Sequence, residues 1–165
     1  MNLIAIDTAR EACSVAVVGD AVKPVTASEI VGRGHAERLF GMAAEVMAEA
    51  GLDFAGLGRI AVTVGPGSFT GIRVGIAAAR GFGLALKRPV VGIGTLEAHA
   101  ASARRLAGPV PVLALLDARR GEIFGQHFSA DGKPLGVPAV ASPETFAGQI
   151  GDGEVLAGAG ADLVL

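Results

Sequence analysis

Several groups of residues in this 165-residue chain have the types and spacing to do chemistry. The run Gly65-Pro66-Gly67-Ser68-Phe69-Thr70-Gly71-Ile72-Arg73 puts small residues and hydroxyls where a strand gives way to a helix. Free amides and the helix dipole attract anions at such a point. The run fits no phosphate fingerprint, however. A Walker loop needs Lys and then Ser or Thr after its last Gly, but Ile72 and Arg73 follow Gly71, and a dinucleotide fingerprint needs a third Gly where Thr70 stands. A serine elbow would require Gly at positions 66 and 70. The spacing favours a sharp turn with Ser68 or Thr70 as the helix N-cap over an anion site.

Asp7 and Asp117 form the second group. Ile6-Asp7-Thr8-Ala9-Arg10-Glu11 is echoed by Leu116-Asp117-Ala118-Arg119-Arg120-Gly121-Glu122, and in both an Asp stands where an apolar strand ends. One use is local, since Asp favours turns through its own backbone hydrogen bonds. The other is a carboxylate pair holding a metal-bound phosphate between two lobes, with Arg119 and Arg120 facing the same cleft. Of His35, His99 and His127 none has a second His at helical ligand spacing: Leu39 follows His35 by four, and Thr95 and Ala103 flank His99. With Cys13 as the single cysteine, neither a metal set nor an internal disulfide is expected.

The last group is a row of small residues, Gly71, Gly75, Ala79 and Gly83, at spacing four on one helix face, with Gly81 as a fourth glycine. Each interior Gly costs a helix about 0.8 to 1 kcal/mol relative to Ala. Close approach of another backbone must offset that, either the protein's own sheet or a second subunit.

The elements that position these groups follow from hydrophobic period and turn residues. Strands are expected at 3–6, 13–18 and 25–31, then a helix at 35–50 whose Leu39, Ala43, Val46 and Ala50 share a face. A strand at 59–64, a helix at 70–86, a strand at 90–93 and a helix at 96–106 follow, giving βββαβαβα over residues 1–107. Gly108-Pro109 marks a boundary, after which the plan restarts in 108–165: strands at 112–116, 122–128 and 135–140, a helix at 143–150 and a strand at 155–156. The expectation is an α/β fold of two lobes on one plan, the second short or incomplete.

Composition narrows the function. Hydrophobic residues make up 51% and charged residues 18%, which excludes a disordered chain. A net charge of −2, with seven Phe but no Trp or Tyr, argues against unaided binding of nucleic acid through a basic or stacking surface. No basic n-region opens the chain and no apolar run approaches a membrane span, so a cytoplasmic protein with no membrane partner is expected.

The motifs Ile4-Ala5-Ile6-Asp7-Thr8, Cys13-Ser14-Val15-Ala16, His35-Ala36-Glu37-Arg38-Leu39, Gly65 to Gly75, Gly92-Ile93-Gly94-Thr95-Leu96-Glu97 and Asp117-Ala118-Arg119-Arg120-Gly121-Glu122 occur in the order found in one family. Over about residues 3–160 the chain resembles TsaB, also called YeaZ. The resemblance implies a duplicated actin-like ATPase (ribonuclease H-like) fold and a non-catalytic helper in making threonylcarbamoyladenosine beside the anticodon of tRNA. It implies partnership with a TsaD-like catalytic subunit and a TsaE-like ATPase, a homodimer when alone, and tRNA met only through the complex. Thr95 falls where the first metal-ligand His of the TsaD relatives stands, with only His99 at the second position. No metal and no tightly bound cofactor are therefore implied, ATP or ADP entering only in the complex. The implied partner interface comprises His35, Leu39, Met42, Val46, Gly71, Gly75, Ala79 and Gly83, while Asp7 and Asp117 remain a vestigial nucleotide pair. The rival reading is a small actin-like kinase or ATPase using those two aspartates around a magnesium nucleotide, with Gly158-Ala159-Gly160 beside the adenosine.

Overall fold

The computed structural model describes every residue except Ala21, Gly32 and Arg33, and the side chain of His35 also lies outside the described part. The chain divides into two compact units, Met1–Ile93 and Gly94–Leu165.

In the first unit, β1 (Asn2–Asp7), β2 (Ala12–Gly19) and β3 (Val22–Ile30) form an antiparallel meander, and β4 (Leu57–Thr63) and β5 (Val90–Ile93) add in parallel beside β1, giving the order β3-β2-β1-β4-β5. Strand β2 alternates as a half-buried strand should, with Cys13, Val15 and Val17 inward. Two helices cover that face. Helix α1 (His35–Glu49) contributes Leu39, Met42, Ala43, Val46 and Met47, spaced for one helical stripe, and α2 (Phe69–Leu86) contributes Ala78 and Ala79. A single turn of 3-10 helix at Phe54–Gly56, which the hydrophobic period does not reveal, leads into β4. By length and composition α2 is apolar enough to cross a membrane, contrary to the expectation that no stretch would be, although its small-residue face is buried within this unit.

The second unit repeats the plan. Strands β6 (Val112–Arg119), β7 (Glu122–Phe128) and β8 (Pro134–Ala141) are antiparallel, β9 (Val155–Ala157) joins β6 in parallel, and the order is β8-β7-β6-β9. Val112 to Leu116 are buried without alternation because both faces are covered. Helix α3 (Thr95–Ala107) packs Leu96 and Ala100 on Val112, Ala114, Leu116 and Phe128, while α4 (Pro143–Ala147) lays Phe146 on Leu113, Leu115 and Ile123.

Two expectations change. The division falls after Ile93 rather than at residue 107, because α3 buries its apolar stripe on the second sheet and Arg104 ties it there through Nε and Nη2 to the Ala130 carbonyl at 3.0 and 2.5 Å. Helix α4 stops at Ala147 rather than Ile150, giving way at Gly148.

Candidate functional site

In each unit the first strand ends in an aspartate that closes its own turn. Asp7 Oδ1 accepts the amide of Ala9 at 2.9 Å, and Asp117 Oδ1 accepts the amide of Arg119 at 2.6 Å. The two-residue reach is the Asx turn, the local use open to both residues in the sequence. Asp7 is half-buried and also accepts the Thr63 hydroxyl at 2.7 Å, fastening β1 to β4; Asp117 is exposed and gains nothing further that the structure describes.

A glycine-bearing turn then comes down on that first strand. In the first unit Ser68 caps α2 by accepting the Gly71 amide at 3.2 Å, and its own amide donates to the Ala9 carbonyl at 2.6 Å. The buried Thr8 hydroxyl donates to the Gly71 carbonyl at 2.7 Å. The approach leaves no room for side chains. A Cβ at Gly67 would strike the Ala9 carbonyl, one at Gly71 the Thr8 carbonyl, and one at Gly75 the Thr8 hydroxyl. The run 65–71, which includes a cis Gly65–Pro66 bond, is thus a clamp between α2 and the β1–β2 turn, with Ser68 as the cap. In the second unit the turn after β9 does the same on a smaller scale: the Gly160 amide donates to the Leu115 carbonyl at 3.0 Å, and a Cβ at Gly158 would meet that carbonyl.

This geometry corrects the expected interface. Gly71, Gly75, Ala79 and Gly83 face into their own unit; a Cβ at Gly83 would meet Val90 and the Arg88 carbonyl, and Ala79 is fully buried. Leu39, Met42 and Val46 are likewise core residues, at most 1% exposed. The expected contact at His35 falls on a side chain outside the described part. Only Gly81 of the four glycines has nothing near it.

What the two helices offer outward is a different set. Phe40, Phe69 and Leu84 are 53, 69 and 83% exposed. The Arg73 guanidinium lies over the Phe69 ring, 3.8 Å from its centroid, and Phe82 links Phe40 to Phe54 with centroids 5.5 Å apart on each side. Aromatic and arginine side chains of this kind anchor protein interfaces. The spacing of 69, 73, 77, 80 and 84 along α2 carries this signal in the sequence, masked by the more conspicuous glycine row.

Among the described residues no three His, Cys, Asp or Glu side chains gather as metal ligands. His127 Nδ1 lies 2.8 Å from Glu154 Oε1, a pairing with no signature in sequence spacing. Thr95 is buried and its hydroxyl has no hydrogen-bond partner among the described residues. Burial pushes the Cys13 thiol above its ordinary value, with Arg38 opposing, which keeps it a packing residue rather than a nucleophile. Arg38 bridges Glu29 and Glu45 at 2.6 and 2.8 Å; it stays charged, and it holds the Glu45 carboxyl below the usual range.

Residues 22–147 match the family of TsaD, tRNA N6-adenosine threonylcarbamoyltransferase. Over 132 residues, 79% of this chain, it is 39% identical to the tRNA threonylcarbamoyladenosine biosynthesis protein TsaB of Escherichia coli, of which it covers 56%. The solved structure of YeaZ from Pseudomonas aeruginosa superposes with a TM-score of 0.79 at 35% identity, covering 87% of this chain and 68% of that one. A ROK hexokinase from Thermus thermophilus, 22% identical with a TM-score of 0.52 over 82% of this chain and 48% of its own, shares the fold alone, which is the actin-like one. The chain spans little more than half the length of the curated relatives it matches.

Proposed function

The chain belongs to the TsaB (YeaZ) family, and from that membership we propose that it is a non-catalytic helper subunit in tRNA threonylcarbamoyladenosine biosynthesis, acting in the cytoplasm by binding a TsaD-like transferase. One observation carries the helper reading. The strand-end turn of the first unit is filled by its own protein: Thr8 and Ala9 are taken up by Gly71 and Ser68, and Asp7 by Thr63 and Ala9. Groups that would cradle a phosphate are hydrogen-bonded inside the fold, and relieving them would open the clamp of α2.

Binding then falls to the outward face of α1 and α2, with Phe40, Phe69, Arg73 and Leu84 as anchors. In this reading the same face pairs two copies when the partner is absent, and a TsaE-like ATPase joins the assembled pair. Nucleotide and tRNA enter only through the complex, because a net charge of −2 supplies no cation surplus for phosphate.

The test is co-elution of the full chain with a TsaD-like subunit at micromolar concentration, followed by threonylcarbamoyl transfer to tRNA with and without the chain. Complex formation and a rise in transfer are expected, both lost in the double variant Phe69→Glu, Leu84→Glu, which melts like the parent. The isolated chain is expected not to turn over ATP. Failure to co-elute, or ATP turnover by the chain alone at about one per second or faster, overturns the reading.

A further inference from the structure

Arg119 and Arg120 stand in a backbone region that side chains with a Cβ avoid, with φ of 67° and 57°. Among the described non-glycine residues only Lys87 shares it, and there the purpose is plain, since Lys87 is the left-handed cap that ends α2. In the second unit Arg119 pairs with Glu122 across the β6–β7 ladder, so the connecting loop is Arg120-Gly121, with φ of 57° and 82°. That is the two-residue hairpin turn for which Asn-Gly is the favoured sequence. Arginine occupies the Asn position although the turn gains nothing from it.

The surroundings fix the backbone of the turn without engaging the Arg120 side chain. Asp117 Oδ1 holds the Arg119 amide at 2.6 Å, and the strand behind the tip, Val112 to Leu116, is buried throughout. The tip therefore stands on a rigid base. Asp117 is taken up by a backbone amide and Glu122 stands opposite Arg119, whereas Arg120 is exposed and makes no hydrogen bond or ion pair among the described residues. A guanidinium carried on a fixed, strained backbone and left without a partner among the described residues is open to an anion that arrives from outside.

We propose that Arg120 is a backbone-phosphate contact for the tRNA held by the assembled complex, an inference that rests on the reading of the chain as a TsaB-family helper. A free nucleotide needs several amides converging on its phosphates. A hairpin tip offers one guanidinium instead, which suits a polynucleotide whose repeating phosphates are met one at a time by many cations. The contact adds to a surface supplied mainly by the partner, consistent with the chain's own net charge of −2.

The experiment measures tRNA affinity of the complex of full-length chain and TsaD-like subunit against salt concentration, for the parent and for Arg120→Ala, Arg120→Gly and Arg120→Lys. Arg120→Ala and Arg120→Gly are expected to weaken binding roughly five-fold near physiological salt and to lower the slope of log affinity on log salt by about one. Arg120→Lys, which keeps the charge, should retain the parent slope. Arg120→Gly relieves the backbone and should also raise the melting temperature of the chain by about 2 to 4 °C, which separates loss of contact from loss of fold. Unchanged affinity and slope in an intact complex overturn this inference alone, and so does a variant whose only defect is in ATP hydrolysis. If the parent chain forms no tRNA-binding complex, the helper reading fails and takes this inference with it.

Discussion

The two units share a sheet order and differ in what the glycine turn leads to. After β4 the turn opens an 18-residue helix whose small face lies on the sheet; after β9 it leads only to a 3-10 turn at Ala161–Leu163. The strand-end aspartate is present in both, fastened twice in the first unit and once in the second. The Asx turn and the glycine turn over the first strand thus recur where the helix does not. They are parts of the folding plan, and what each unit adds decides how firmly the plan is held. In the first unit the addition is a helix seated closely enough that three glycines are obligatory.

The comparison breaks most readily at Gly75. Leucine there must displace the Thr8 hydroxyl and Val62, and the clamp of α2 cannot yield without releasing β1. A loss of about 3 kcal/mol is expected, at the upper end for overpacking. Urea denaturation of Gly75→Leu should show a large drop in midpoint. A variant that is fully stable yet fails to pair with its partner would return the glycine row to the interface.

Next comes the difference between the aspartates. Asp7→Ala strands the buried Thr63 hydroxyl and frees the Ala9 amide, for a cost of about 1 to 2 kcal/mol. Asp117→Ala removes one bond at an exposed turn and should cost about 0.5 kcal/mol or less. Equal effects in thermal melts would mean that the Asp7–Thr63 link contributes nothing.

Gly81 sharpens the comparison in the opposite direction. It is the glycine of α2 that no neighbour requires, so Gly81→Ala recovers helix propensity without a clash and should stabilise the protein by about 0.8 to 1 kcal/mol. Gly83→Ala, two residues further along the same helix and on its opposite face, should destabilise it because its Cβ meets Val90. A chemical melt of the two variants side by side decides the matter.

Much of this architecture was legible in the chain. Alternation in β2, the helical stripe of α1 and the punctuation by Gly and Pro locate nearly every element within a few residues, and the Asp7/Asp117 echo announces the repeat. The errors share a cause. The glycine row says that some backbone approaches α2 closely but not which one, and Gly108-Pro109 marks a break in the chain but not the sheet on which α3 buries Leu96. Both are settled by tertiary packing, which local pattern does not encode. Pairings across long separations, Thr8 with Gly71 or His127 with Glu154, leave no periodic trace at all.

The smallest expected effect lies in the β7–β8 turn of the second unit, where Asp131 is paired with Lys133 at 2.7 Å and accepts the Ser129 hydroxyl at 2.5 Å. Lys133 first and Ser129 second pull the Asp131 carboxyl down to about 2 from an ordinary 3.8. A carboxyl lowered on folding binds more protons in the unfolded chain, so its contribution is present above about pH 4 and is lost as the pH falls through about 2. Other carboxyls move the same way, Glu45 beside Arg38 and Glu144 beside Ser142 among them, so the whole protein's acid melt does not isolate it. The difference in melting temperature between the parent and Asp131→Asn does, since the amide keeps the Ser129 bond and loses only the charge. That difference should be small and constant from pH 7 to 5, shrink below pH 4, be mostly lost by pH 2 and vanish below it, and weaken in high salt because both partners are solvent-exposed. A difference that persists unchanged below pH 2 would assign the effect to turn geometry rather than to the ion pair.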